Sequence, residues 1–445
     1  MKKLLYILIA SLVIILSYTL CADAADYDTI KVGLYYGSTA PSSVTVGVDA
    51  GVSYGYFDGM QHCETGVLYG TDFTVSALSE TSLIINGAQP VETGGSNLSL
   101  MPLGGNIKIN GKEYRGSALF TNASASTMCV MNVLSLEQYL YGVIPSEVPY
   151  TWNSEALKAQ AICARGFAVS NYNKHASYGF NVCTTTNCQV YGGVAAEKQS
   201  TTDAVNATSG EVLTYDGKII ESLFFSSSGG HTANVKNVWG SSIPYLSGVE
   251  DPYEPEDCPN HSWTVTLTNE EISQILKDGG HDIGSLTSLT ADTDETGRAY
   301  KLTAVGTAGT HTFTNQGTYS SFYSKGVKGQ KYTLSPVAES ERPLYALTAG
   351  SKQQLSARVA MNSKGTKTAL TDSFDIISST GKETFTCGKV TGYTFSGGGW
   401  GHGVGMSQYG AMGMADAGFT YDKIVTHYYP GTTLTNIYEV ANENQ

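Results

Sequence analysis

Proline is scarce in this chain, with 12 in 445 residues, and charged residues make up only 15% with no long single-sign run. With 41% hydrophobic residues, that composition belongs to a folded protein and excludes a long disordered chain. Basic residues are in deficit, 26 Lys and Arg against 39 Asp and Glu, giving a formal net charge of −13. A chain of that sign gains nothing from the phosphate field of nucleic acid, which removes that partner class. Cysteine is too sparse for a disulfide framework: eight in all, and Cys21 lies in the N-terminal apolar segment. The remaining seven are an odd number, so at least one thiol is expected to stay free. Beyond the N-terminus, no run is apolar enough to span a bilayer.

Several catalytic signatures are missing too. None of the eight histidines opens an H-E-x-x-H, so a zincin protease is excluded. Ser379 and Lys382 have S-x-x-K spacing but lack the S-D-N and K-T-G partners. The glycines around Trp400 fit G-x-G-x-x-G in no register, which removes a dinucleotide site. No serine nucleophile elbow is expected.

What the chain has in excess is glycine, 50, and tyrosine, 29. Glycines imply many turns, and exposed tyrosines suit polar, flat-faced ligands such as sugars. The start, Met1 to Tyr27, has Lys2 and Lys3, an apolar stretch from Leu4 to Leu20, and a small-residue site at Ala22-Asp23-Ala24. This is an export signal over residues 1–24, either cleaved or kept as a membrane anchor. The bulky Leu20 argues against lipid attachment at Cys21. The protein is therefore expected outside the cell or in the wall space, or anchored there, touching membrane only through this segment. Repulsion from anionic wall polymers would leave local hydrogen bonding and stacking to recognise a wall substrate.

From about 28 to 125, apolar and polar residues alternate in short runs such as "TIKVGLYYG" and "NIKINGKEYRGSALF", which predicts short strands. At Ser135 the period changes. Ser135 and Gln138 form a capping-box pattern, so a helix starts there, and Pro145 is expected to end it. A second helix is predicted from Asn153 or Ser154, with Glu155 in its first turn and Leu157, Ala161, Ala164 and Ala168 on one narrow face. Strands return at "GEVLTYDGKIIESLFF". Mixed β structure follows a Pro-rich acidic connector, with one helix near Asn269 to Lys277, and a glycine-rich turn at the tail leads into helix. The expected fold is α+β: a helical segment packed against β-rich regions, with a mostly β middle insertion. Its parts are residues 25–125, a core at 126–262, the insertion at 263–392, and a closing segment at 393–445.

Glu147 stands between Pro145 and Pro149 beside Val143, Ile144 and Val148. Apolar surroundings keep a carboxyl protonated, and prolines limit its movement, which suits a general acid. A solvated turn residue would read the same way locally.

Four blocks decide between these. "SLEQYLYGVIPSEVPYTWNSEALKAQAICARGFAVSNY", "CTTTNCQVYGG", "FFSSSGGHTANVKNVWGSSIPYLSGVEDPYE" and "GGGWGHGVGMSQYGAMGMADAGFTYDKIVTHYYPGT" together resemble the stage II sporulation protein D family, which includes amidase-enhancer proteins. The likeness runs from about 132 to 435 and is weak over 265–390. It implies a peptidoglycan lytic transglycosylase acting on glycan strands stripped of peptide, with Glu147 as the catalytic acid and base. The other reading is a wall-binding activator of a cell-wall amidase.

Arg165 matches a family arginine, and would hold a sugar carboxylate or form an internal ion pair. Gln189 and Tyr191 either bind sugar hydroxyls or close a strand. Ser227, Ser228, Gly229 and Gly230 form a loop suited to close approach of a polysaccharide, or a plain turn. Trp239, Tyr245, Trp400 and His402 are candidate substrate contacts, with His402 in a hydrogen-bonding or proton-transfer role. Some family members bind zinc through one His and two Cys. Here that points to His175, Cys183 and Cys188, with a Cys183–Cys188 disulfide as the alternative. The cleavage itself requires no cofactor.

Overall fold

A computed structural model describes residues 27–86, 91–93, 97–338 and 390–437 in full, and only the backbone of short strands between 339 and 389. Residues 1–24, expected to be an export signal, and with them Cys21, as well as Ser379 and Cys387, lie outside the described residues. Among the described residues no helix is long and apolar enough to cross a membrane. The architecture is α+β. The chain forms two compact units, one running to Leu223 and resuming at Met414, the other comprising Phe224–Gly413.

In the first unit the alternating runs become two antiparallel-rich sheets. The larger contains β1 (Thr29–Tyr35), β2 (Gly51–Asp58), β3 (Gln61–Tyr69), β4 (Asn97–Pro102), β5 (Ser117–Asn122), β6 (Met128–Ser135) and β7 (Val182–Cys183). Their spatial order is β7-β1-β6-β5-β4-β2-β3. β6 lies inside the sheet and is buried along almost its whole length. The second sheet has six strands, and its alternation is read in the fully buried Val75, Leu83, Ile85, Ile107 and Ile109. One string with nucleophile-elbow spacing, Gly51-Val52-Ser53-Tyr54-Gly55, occurs inside β2. Ser53 is therefore on an extended strand, bonded to His62 and Glu64, and not on a strand-to-helix turn.

β6 runs directly into α1 (Leu136–Glu147), whose first turn is capped by Ser135 Oγ accepting from Gln138 N–H at 3.2 Å. The helix does not stop before Pro145. It continues through it, because a proline in the last turn forfeits only one backbone bond, and the Val148 N–H still closes that turn onto Ile144 C=O. α2 (Ser154–Ser170) begins at the cap Asn153, which accepts from Glu155 N–H. Leu157, Ala161, Ala164 and Ala168 are buried as their spacing predicts. Small side chains let α2 pack closely against α1, against α3 (Gln199–Ala207) and against the helix Tyr421–Tyr428.

One buried cation ties these parts together. Arg165 of α2 is 0% exposed. Its Nε and Nη2 donate to the two carboxylate oxygens of Glu137 at 2.8 and 2.6 Å, Nη1 donates to Glu211 C=O and Nη2 also to Val205 C=O. Glu137 in turn accepts from Gly210 N–H.

The second unit holds two three-stranded sheets. Trp263, Tyr332, Phe322 and Phe395 lie in its core. The helix Asn269–Asp278 turns Ile272 and Leu276 into that core, behind a full capping box of Thr268 and Glu271.

Removing one partner of a buried fork strands the other. Arg165→Ala is expected to cost roughly 3–5 kcal/mol, and Arg165→Lys to recover little of it because an ammonium makes no fork. Urea unfolding followed by circular dichroism measures this; a loss below about 1 kcal/mol for Arg165→Ala would contradict the role given to the pair.

Candidate functional site

Glu147 is the last residue of α1, so its backbone is held by a helix and its side chain leaves at the helix end. Val143, Ile144 and Val148, expected to supply apolar surroundings, are all buried. The carboxylate is itself half-buried, and its Oε1 accepts from Val190 N–H at 3.1 Å. Burial holds the carboxyl above its ordinary pKa, while the Val190 amide pulls the other way.

The Val190 amide is fixed by its neighbours. Gln189, on one side, accepts from Tyr139 O–H and donates to Ala164 C=O. Tyr191, on the other, donates to Asn132 Oδ1 on β6 at 2.9 Å. Gly192 N–H bonds back to Gly142 C=O of α1. Gly142 must be glycine for this contact: a Cβ there would meet the Tyr191 ring at 2.7 Å. Gln189 and Tyr191 are thus turned inward, almost fully buried, and aim the peptide between them at Glu147. Sugar contact by these side chains does not fit their burial. Arg165 fits it no better, since its guanidinium is committed to Glu137 as an internal ion pair.

His175, Cys183 and Cys188 come together close by in sequence. Their donor atoms all lie within 4.8 Å of one another, with Cys188 Sγ 3.3 Å from His175 Nε2. Cys183 is held on β7, parallel to β1 with Cys183 opposite Gly33. The cluster is walled by Tyr36 and by Phe180, which stacks on His175. Burial, then Lys174, lowers the His175 pKa, so the imidazole is neutral and its lone pair available. Burial opposes ionisation of Cys183, yet hydrogen bonds with Thr185, Tyr36 and Cys188 outweigh it and lower that thiol. Cys188 is pushed up to about 11, chiefly by burial. Neither thiol is in a disulfide, and the same holds for Cys63, Cys129, Cys163 and Cys258. One neutral imidazole and two adjacent thiols, one already inclined to ionise, form a donor set that fits zinc.

The remaining candidates belong to the second unit. Ser227 pairs with Trp400, each backbone N–H donating to the other's C=O. Gly229 and Gly399 both have positive φ and nearly touch: a Cβ on Gly229 would sit 2.8 Å from the Gly398 carbonyl carbon, and one on Gly399 would sit 2.6 Å from Ser227 O. The loop is gripped from all sides. Glu254 accepts from Ser228 and Gly229 N–H, Arg298 donates to Ser228 and His231 C=O, and Lys331 donates to Gly229 C=O. Ser228 Oγ accepts from Gly230 N–H.

Trp239 and Trp400 are 43% and 41% exposed, and Trp400 Nε1–H donates to the hydroxyl of Tyr323, itself 50% exposed. Tyr245 is half-buried in the short 3₁₀ turn Pro244–Leu246. His402 packs on Phe225 and Trp239, and its Nδ1 accepts from Val404 N–H. Burial lowers its pKa to about 4, so near neutrality it is an uncharged hydrogen-bonding group. Sequence reasoning missed Glu254, Arg298, Lys331 and Tyr323. Only Glu254 carried any signal, its place in the Pro-rich acidic connector.

The family model described as stage II sporulation protein matches residues 124–215, the stretch that holds β6, α1, α2, Glu147 and the His-Cys-Cys cluster. The chain is 32% identical over 361 residues to an amidase enhancer of Bacillus subtilis (strain 168), covering 78% of this chain and 48% of that protein. It therefore spans about half the length of that relative. It is 32% identical over 320 residues to stage II sporulation protein D of the same organism, 68% of this chain and 75% of that one. An uncharacterized protein of Brachyspira hyodysenteriae is 32% identical over 338 residues, 75% of this chain and 76% of its own length.

Because burial raises the folded-state pKa of Glu147, the residue favours the folded state at acid pH, and that contribution is lost as pH rises through the raised value. The Glu147→Gln chain keeps an acceptor for Val190 N–H without a buried charge. It should have a higher Tm than the parent at neutral pH, with the gap closing as pH falls below the ordinary carboxylate range. A lower Tm at neutral pH would contradict the desolvation argument.

Proposed function

The chain belongs to the stage II sporulation protein D family, a cell-wall-related family, and from that premise we propose that it is a lytic transglycosylase of peptide-stripped peptidoglycan strands. The observation that carries this is Glu147: a rigidly mounted, half-buried carboxyl whose pKa is raised by desolvation. Most glycosidases need two carboxylates. One suffices when the muramoyl sugar supplies its own nucleophile. The Glu147 proton passes to the bridging oxygen as the C1–O bond to the leaving sugar breaks. The C6 oxygen of the muramoyl ring forms the new bond to C1, and its proton returns to Glu147. The products are a free sugar hydroxyl and a 1,6-anhydro ring, with Glu147 protonated again.

Val190 N–H steadies the carboxylate in the interval between the two transfers, when the charge is fully developed. Trp239, Trp400 and Tyr323 offer exposed aromatic faces of the kind that stack on sugar rings. His175, Cys183 and Cys188 would hold a zinc ion, which when bound supplies a fixed tether two residues before Val190 and no part of the proton traffic. The expected setting is outside the membrane, with export by the N-terminal segment.

The likeness to an amidase enhancer supports a second reading, in which the chain binds wall glycan and activates a cell-wall amidase. One experiment separates the two. Incubated with amidase-treated peptidoglycan, the parent chain should release fragments with anhydro-muramoyl ends, detected by mass spectrometry. Glu147→Gln should lower their yield by at least about 10²-fold while still pelleting with the glycan. Unchanged products from Glu147→Gln would overturn the assignment. Absence of anhydro ends from the parent, together with stimulation of an amidase, would establish the second reading.

A further inference from the structure

The second unit contains a donor cluster that neither the glycan chemistry nor the His175 cluster uses. It comes from one short stretch, Glu254-Pro255-Glu256-Asp257-Cys258-Pro259-Asn260-His261. Cys258 N–H donates to Pro255 C=O and His261 N–H donates to Cys258 C=O, both at 3.1 Å, so the stretch makes two successive tight turns. The turns gather a carboxylate, a thiol and an imidazole whose donor atoms all lie within 4.8 Å of one another. Glu254 and Cys258 are buried. His261 Nδ1 lies 3.4 Å from Glu254 Oε1, shielded from solvent, and makes no hydrogen bond. A buried ring nitrogen left in that state is unfavourable unless something else occupies its lone-pair direction.

We propose that Glu254, Cys258 and His261 bind one zinc-class divalent cation, forming a second metal site independent of His175, Cys183 and Cys188. One oxygen, one sulfur and one nitrogen suit a tetrahedral ion with a fourth position for water. Ligand atoms about 3.3–3.8 Å apart are what metal–ligand bonds of about 2.0–2.3 Å require, a contraction that small side-chain rotations supply. Binding breaks the Cys258 S–H bond, forms a sulfur–metal bond and releases the proton to solvent. The thiolate and the Glu254 carboxylate then balance the two positive charges, and His261 ligates as a neutral ring.

The ion would also have a structural consequence. The Glu254 carboxylate that ligates it is the one that accepts from Ser228 and Gly229 N–H, so the metal would anchor the serine–glycine loop through a single side chain.

Metal analysis of the folded full-length chain, loaded with zinc and freed of excess ion, tests this. Cys258→Ser and His261→Gln should each lower the zinc content by one ion per chain. A Cys183→Ser/Cys188→Ser chain should retain one ion. Given cobalt, that double variant should show thiolate-to-cobalt charge-transfer absorbance, which disappears when Cys258→Ser is added. His261 is partly exposed, so its variant guards against a Cys258 variant that fails to fold. Zinc content unchanged in both Cys258→Ser and His261→Gln, or a double variant holding neither zinc nor cobalt, would overturn the proposal. None of these readouts depends on glycan cleavage, so failure here leaves the transglycosylase reading to its own test.

Discussion

The first unit depends on a guanidinium with no access to water. Arg165 joins α2 to the start of α1 through Glu137, to the end of α3 through Val205 C=O and to the following strand through Glu211 C=O. An isolated ion in that position would be very costly, and the fork, two carbonyls and the Gly210 amide on Glu137 are what make it tolerable. Such an arrangement adds little net stability over a well-packed apolar core, yet it admits very few geometries. Its effect is registration. α1 is pinned at Glu137, and a helix rising about 1.5 Å per residue delivers Glu147 about 15 Å further along a stiff rod.

What reaches that far end is a carboxyl under two opposed influences. Desolvation favours the acid, and the Val190 amide favours the carboxylate. In the proposed reaction this group would give a proton and then take one back, and either influence alone would serve that poorly. Full burial would make it too weak an acid for the first transfer, and several amide donors would make it too weak a base for the second. The Val190 amide, mounted between the buried Gln189 and Tyr191, works against the burial and gives an intermediate setting. That accounts for two inward-facing side chains in a segment whose composition suggests sugar contact.

How much of this was legible in the sequence follows from range. Local signals held: alternation marked the strands, Ser135 and Asn153 capped the helices they were expected to cap, and Val143, Ile144 and Val148 were buried around the end of α1. Pro145 misled by two residues because its penalty depends on how much helix remains after it, and only the final turn did. Arg165, Gln189 and Tyr191 carried no local sign of direction. Their partners are Glu137, Tyr139, Ala164 and Asn132, between 25 and 59 residues away, and residue type alone does not tell an arginine facing a ligand from one facing a carboxylate. The Val190 contribution is wholly backbone and has no side-chain signature at all.

In the second unit the same logic applies to main chain rather than to side chains. The serine–glycine loop and the tail strand around Gly399 approach so closely that no Cβ fits between them, which is why glycine clusters there. Glycine raises the entropy that must be lost to order such a loop. Glu254, Arg298 and Lys331 offset it by holding both the amides and the carbonyls of Ser228 and Gly229. Under the proposed function, a polar loop already ordered in this way would lose little further freedom on taking up a polysaccharide, so less of the contact energy would be consumed in ordering the protein. The glycines therefore serve close approach here, and the flexibility they would otherwise bring is removed by three buried or half-buried ionic groups from elsewhere in the unit.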